Sequence, residues 1–142
     1  MASIHDVAKY IVNKQGSVTA MKLQKLVYYA QAWSLVWDEK SLFSARIEAW
    51  ANGPVSPELY RHHYGEFFIH NWRNGKISNL TTKERTTIDS VLKYYGHRSA
   101  IWLSELTHNE RPWKEARKGL GPNERGNREI TTDAMYSYYS SL

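Results

Sequence analysis

The stretch Met21 to Trp33, MKLQKLVYYAQAW, constrains this chain more than any other, because it combines helical spacing with almost no face left for water. Leu23, Leu26, Val27, Ala30, Trp33 and Trp37 form one apolar stripe at that spacing, and Tyr29, Ala32 and Val36 carry the apolar surface round the cylinder. Only Lys22, Gln24, Lys25, Gln31 and Ser34 interrupt it. Such a helix must be covered by the rest of its domain, by a partner, or by both.

The chain has 142 residues, and a domain of that size typically buries roughly two thirds of its unfolded surface. It can fold without metal or disulfide staples. The absence of cysteine excludes a disulfide framework, a thiol nucleophile and thiolate zinc sites, and it fits a reducing compartment, so the cytoplasm is the expected location. No apolar run approaches the roughly 18 residues of a spanning helix. The N-terminal segment MASIHDVAKYIVNKQG has an early acid and an amphipathic pattern rather than the apolar centre of a signal peptide. Neither secretion nor membrane insertion is expected.

Local punctuation divides the remainder into short helices. Ser3 is the expected N-cap of a first helix running through Val12, with Gly16 as its stop; Thr19 caps the apolar helix. Ser56, Pro57 and Glu58 form a helix start, with Gly65 as the end. Thr81 and Glu84 have capping-box spacing ahead of the stripe Ile88, Val91, Leu92, Tyr95, which ends at Gly96. Ser99 caps a short helix through Leu106, and Pro112 opens another, with Arg111 pushed out of the helical region. Thr131 caps a last helix, flanked by an Ile130–Met135 staple. Between these, Leu42 to Trp50 suits helix or strand equally, Asn74–Gly75 signals a hairpin or tight turn, and Lys118 to Arg128 is a glycine-rich mobile connector. The expected fold is mainly α: a single compact domain over residues 1–142 with six to eight helices and a small β-hairpin.

The net charge of +5 permits a nucleic-acid or acidic-protein partner. Most of the excess lies between Arg61 and Arg98, where Arg61, Arg73, Lys76, Lys83, Arg85, Lys93 and Arg98 face Glu66, Glu84 and Asp89. These cations are widely spaced and form no basic run of the kind that tracks phosphates, so a solvated surface is the favoured reading.

Motifs for catalysis are absent: no Gly-x-Ser-x-Gly elbow, no phosphate-cradling glycine loop, no dinucleotide fingerprint and no His-Glu-x-x-His pair. His62 and His63 are adjacent on a helix, so their side chains diverge by about 100 degrees and share a metal poorly. Together with His70, His97 and His108 they could in principle assemble a site in space, but partly exposed or structurally hydrogen-bonded histidines are the expected outcome. Glu48, in the apolar context Ile47-Glu48-Ala49-Trp50, has the surroundings of a general base, but a carboxylate bonded to backbone donors or to Lys22 or Lys25 is the preferred expectation. Thr107 and His108 ahead of Pro112–Trp113 suggest a turn in which hydroxyl and imidazole bond backbone groups. No catalytic residue, metal or cofactor is assigned.

Aromatic surface is what the chain does carry: six Trp, ten Tyr and three Phe. Trp and Tyr bury much area while keeping a polar handle, and they recur as anchors of protein interfaces. Trp37, Trp72 and Tyr138 or Tyr139 fall at element ends or beside polar residues and are the candidate surface anchors, although for any single one a core position is the favoured reading.

Three blocks in order carry a resemblance. Met21-Lys22-Leu23-Gln24-Lys25-Leu26 with Tyr28-Tyr29-Ala30-Gln31-Ala32-Trp33, then Glu48-Ala49-Trp50 with Gly53-Pro54-Val55-Ser56-Pro57-Glu58-Leu59-Tyr60, then Thr107-His108 with Pro112-Trp113, together resemble the Panacea domain, a family that includes SocA-like antitoxins and phage-associated GepA proteins. Ala51–Asn52 stands where many relatives carry an aromatic residue.

The resemblance implies the antitoxin of a toxin–antitoxin system, encoded in bacterial or prophage genomes, that neutralises its toxin by direct binding. Alternatives are a nucleic-acid-binding regulator, a phage-encoded protein acting against host defence, and an adaptor delivering the toxin to a protease. If one scaffold serves many partners, the shared residues Leu23, Leu26, Tyr29, Trp33, Trp50, Gly53, Pro54, Val55, Pro112 and Trp113 maintain the fold. Gln24, Lys25, Glu48 and His108 are then candidates for a shared binding patch, alongside the aromatic anchors.

Overall fold

A computed structural model describes all residues 1–142. Seven helices are joined by short extended pieces: α1 (Ile4–Gln15), β1 (Val18–Thr19), α2 (Ala20–Trp37), β2 (Glu48–Trp50), β3 (Gly53–Val55), α3 (Pro57–His63), β4 (Phe68–Ile69), a single 3₁₀ turn (Ile77–Asn79), α4 (Thr82–Tyr95), α5 (Ala100–His108), α6 (Arg111–Ala116) and α7 (Thr132–Tyr139). The mainly α expectation holds.

The apolar helix α2 is the axis of the molecule, with α1, α4, α5 and α7 laid against it. One contiguous apolar core runs from Ala2 to Tyr139 around it. Of the five polar residues that interrupt its surface, four do not turn to solvent and Lys22 is half-buried. Gln24, Lys25, Gln31 and Ser34 are buried; Lys25 bonds to Pro54 O in β3, and the other three serve backbone outside the helices and strands. Gln31 accepts from Leu42 N at 2.8 Å and donates to Phe43 O at 2.9 Å; Ser34 donates to Lys40 O; Gln24 accepts from Ser56 N at 2.8 Å and donates to Ser56 O at 3.2 Å. Since a buried unpaired backbone group costs about as much as a lost hydrogen bond, α2 supplies both the apolar surface and the pairing groups for the segment after it.

Helix starts fall where local chemistry puts them. Ser3, Thr19, Ser56, Thr81, Ser99 and Thr131 each accept a backbone N–H in the first turn, and Ser3 and Thr81 complete capping boxes with Asp6 and Glu84. Two ends differ. Helix α1 continues past Val12 to Gln15 before Gly16 stops it, and α3 ends at His63, two residues short of Gly65. Arg111 is the first residue of α6 rather than excluded from it, with Glu110 as the cap and Pro112 in the first turn.

The hairpin lies elsewhere than expected. Asn74–Gly75 joins no strands: Gly75, at φ +84°, presses against the start of α1, where a Cβ would stand 2.5 Å from the His5 carbonyl carbon. Lys76 N then donates to Asp6 Oδ1 at 2.7 Å. The true hairpin is β2–β3, in the register Glu48↔Val55, Ala49↔Pro54, Trp50↔Gly53, turning through Ala51–Asn52. Its other edge is closed by Arg128 to Ile130, through Ala49 N to Arg128 O and Ile130 N to Ile47 O. The glycine-rich connector is pinned: the buried Arg117 guanidinium donates to Ala49 O, Gly121 O and Glu124 O.

Candidate functional site

A cleft of about 1030 Å³ opens between the N-terminal half of α2, the β2–β3 hairpin, the end of α3 with the residues that follow it, and Arg125 to Asn127. Gln24 and Lys25 contribute to its lining from α2; Glu48, Trp50 and Val55 come from the hairpin, and Tyr60, His63, Tyr64 and Phe67 from the α3 side. Trp50 meets Tyr60 edge-on at 4.9 Å, and Tyr60 meets Tyr64 at 5.5 Å. Tyr64 and Phe67 are strongly exposed, so the rim is aromatic.

Lys25 is the unusual residue. Its side chain is almost wholly buried, and its Nζ makes one hydrogen bond, to Pro54 O at 3.2 Å. Gly53 makes room for it: a Cβ there would lie 2.4 Å from Lys25 Cε, and φ +124° already reserves the position for glycine. Burial pushes the Lys25 amine down to about 7. Its neighbours are no counter-ions. His63 and His108 are held below the ordinary imidazole range, first by burial and then also by the Lys25 charge, with Arg117 adding to the effect on His108. Gln24 donates to His63 Nε2 at 3.0 Å, which leaves that nitrogen unprotonated. His108 Nε2 is buried without a partner, and its ring stacks on Trp113 at 4.0 Å.

The nearby carboxylate, Glu48, is engaged elsewhere. It accepts from Arg46 Nε at 2.8 Å and Trp50 Nε1 at 2.9 Å. Neither lysine proposed as its partner reaches it: Lys22 donates to Gly96 O, and Lys25 to Pro54 O. The preferred expectation for Thr107 is met by its bond to Ser104 O, and the His108 ring, stacked on Trp113, has the Asn52 backbone as its polar neighbour.

The structure separates the eight candidate partner-binding residues into groups. Gln24, Lys25 and Glu48 meet at the cleft, with His108 behind Lys25. Trp37 and Tyr138 belong to the opposite end of α2: Trp37 stacks on Trp33 at 5.1 Å and is half exposed, while Arg111 lies over the Tyr138 ring. Trp72 and Tyr139 are interior, which corrects their candidacy as surface anchors. Trp72 is 4% exposed because its indole donates to His5 Nδ1 and stacks on that ring. Tyr139 is drawn inward by Glu110: its hydroxyl donates to Glu110 Oε1 at 2.6 Å, beside the Tyr29 hydroxyl at 2.7 Å. Burial raises Glu110 above the usual carboxylate range, against the two tyrosine hydrogen bonds. The rim residues Tyr60, Tyr64 and Phe67 were not among the candidates. The four-residue spacing of Tyr60 and Tyr64 near a helix end was the available signal.

A second cluster, His5, Glu58 and His62, brings three ligand-type atoms within 4.8 Å of one another. Its hydrogen bonds engage His5 Nε2, His5 Nδ1 and His62 Nδ1. Because Trp72 donates to His5 Nδ1, the proton sits on His5 Nε2, which donates to Glu58 Oε2 at 2.7 Å. His62 Nδ1 faces the Glu58 carbonyl at 2.9 Å and must also carry a proton. The His5–Glu58 bond clamps α1 to α3, and a metal held by His5 Nε2 and His62 Nδ1 would have to displace a proton from each. The Glu58 carboxyl is accordingly held below its ordinary range by hydrogen bonds from His5 and Arg61. His62 and His63 do diverge, one toward His5 and the other toward Gln24.

The family described as antitoxin SocA-like, Panacea domain, matches residues 23–114. That span contains Lys25, the β2–β3 hairpin, all of α3 and the aromatic rim. No curated protein and no solved structure matches the chain.

Proposed function

The chain belongs to the SocA-like antitoxin family with a Panacea domain, and from that premise we propose that it neutralises a cognate protein toxin in the cytoplasm by direct binding, with the Lys25 cleft as the docking surface. The observation that carries this reading is the coincidence of family membership with an aromatic-rimmed cleft, 13 of whose 18 lining residues fall inside the matched span. Aromatic side chains bring much contact area at small conformational cost, and a few of them set the strength of an interface. Tyr64 and Phe67 stand exposed with no internal hydrogen bond to satisfy, a role that suits anchors better than core.

Binding to a protein is favoured over binding to nucleic acid by the state of the cations. Lys25 and Arg117 are buried. Lys22, Arg85 and Arg128 donate to backbone carbonyls, and Arg46 and Arg61 are paired with carboxylates. The other twelve of the 19 Lys and Arg residues are scattered along the chain and form no basic run that would follow a phosphate backbone.

The test is co-expression with the product of the adjacent gene. Growth should be restored and the two proteins should purify together; replacing Tyr64 and Phe67 by Ala should abolish both while leaving the fold intact. Restored growth with no physical association would overturn the reading. A shortened toxin half-life on co-expression would identify the docking as delivery to a protease rather than blockade.

A further inference from the structure

We propose that the Lys25 cleft is a carboxylate-capture site that takes the C-terminal end of the partner polypeptide, with the terminal carboxylate on the Lys25 ammonium and an apolar last side chain between Trp50, Tyr60 and Phe67. This deepens the docking role proposed above and rests on it.

The ammonium has three N–H donors, and only one is used, on Pro54 O. Every charged or titratable group around it is accounted for. His63 from α3, His108 from α5 and Arg117 after α6 are basic, and Glu48 on β2 is held by Arg46 and Trp50. Glu66 and Arg125 stand exposed at the rim. A buried cation with no counter-ion is a costly arrangement unless something supplies the anion. Lys25 lines an open cleft, so an occupant can supply it.

The chemistry of that occupant follows from the surroundings. One buried cation matches a single negative charge; for the second charge of a phosphate, Arg117 is already committed to three backbone carbonyls, His63 and His108 are held below the ordinary imidazole range, and Arg125 stands out at the rim. The aromatic wall calls for an apolar neighbour to the anion. Lys25 is only 1% exposed, so the charge must arrive at the tip of whatever enters. A chain end places its carboxylate at its own tip and has no onward chain to route back out. An internal Asp or Glu would have to bring the backbone on both sides of it to the cleft. Capture of a C-terminal carboxylate is an established mode of peptide recognition.

Three probe peptides test this on the wild-type protein: N-acetyl-Gly-Gly-Phe with a free carboxylate, the same peptide as its C-terminal amide, and N-acetyl-Gly-Asp-Phe-amide, which moves the charge to a side chain. Binding is read by NMR from the Lys25 ¹³Cε signal and from the titration isotherm. The free acid should bind and raise the Lys25 pKa, and it should bind roughly tenfold or more tighter than the amide, as expected for losing a charged hydrogen bond. Its affinity should fall about tenfold per pH unit above the Lys25 pKa. The response should vanish in Lys25→Met, whose fold is checked by a thermal melt; the acid-to-amide ratio and the pH dependence need no variant. Equal binding of acid and amide, preference for the Asp peptide, or no saturable binding of the free acid would overturn the inference. With the toxin itself, a complex that survives removal of the toxin's last residues removes this inference and keeps the docking role, whereas acid-selective binding without any toxin complex would remove the antitoxin reading instead.

Discussion

Replacing Lys25 by Met should stabilise this protein at neutral pH and make its stability less dependent on pH. Met retains the apolar stem in the space left by Gly53 and deletes the ammonium. In the unfolded chain the amine has an ordinary value of 10.5, and in the folded protein burial lowers it to about 7. A base whose folded pKa is depressed gives stability that is complete above the unfolded value and is lost as pH falls toward the folded one. Between those limits the wild-type protein should gain about 1.4 kcal/mol per pH unit relative to the variant. Over the whole interval this amounts to roughly 5 kcal/mol of ionisation cost that Met avoids. Against it stands the orphaned Pro54 carbonyl, worth about 1–3 kcal/mol. The variant should therefore be the more stable by about 2–4 kcal/mol near neutrality, with the order reversing at high alkaline pH. Urea melts of both proteins at several pH values from neutral to about 10 give the difference directly, because other titrating groups cancel. Parallel stability curves would refute the reasoning, since they would mean that Lys25 keeps its proton throughout and finds a partner other than Pro54 O.

Gly53→Ala should cost about 1–3 kcal/mol in backbone strain alone and more as Lys25 is displaced; an unchanged urea midpoint would show that the residue does not shape the site. Tyr139→Phe removes one of two hydroxyls from buried Glu110 and should cost about 1–3 kcal/mol. Glu110 itself has a raised folded pKa, so its contribution is present below the unfolded value of 4.5 and is lost as pH rises through the folded one; Glu110→Gln should flatten that part of the stability profile in acid-range melts. Gln31→Ala leaves Leu42 N and Phe43 O without partners and should cost about 2–6 kcal/mol at 1–3 for each group, read by the same melts. Zinc should leave the melting temperature unchanged, because His5 Nε2 and His62 Nδ1 are held as donors to Glu58 and a metal there would have to displace both protons; a rise proportional to log zinc concentration would reverse that assignment.

The parts of the fold legible in the sequence are those fixed over three or four residues. A hydroxyl that accepts the N–H of the first turn needs no tertiary partner, which is why Ser3, Thr19, Ser56, Thr81, Ser99 and Thr131 locate their helices correctly. The apolar belt of α2 is equally local, and its central burial follows from composition. The hairpin was missed because β2 and β3 have three residues each, too few for alternation to register. Asn74–Gly75 has the chemistry of a tight turn, but what it turns against is α1, a segment about seventy residues earlier.

At the candidate site, Gln24, Lys25 and Glu48 were legible as polar exceptions in apolar blocks, yet their roles were not. Trp72 and Tyr139 carry polar handles that made them candidates for the surface, and those same handles draw them inside, toward His5 and Glu110.

The sequence by itself determined a helical protein built round one apolar helix, and the ordered blocks that mark its family. Only the tertiary structure decided that the polar residues of that helix face inward, that Gly53 leaves a hole for a lysine, and that no carboxylate comes to meet it. Those outcomes depend on distant residues arriving at one point, Lys25 at Pro54 and Tyr29 at Glu110 among them. No local spacing encodes such a meeting; packing around a common core does.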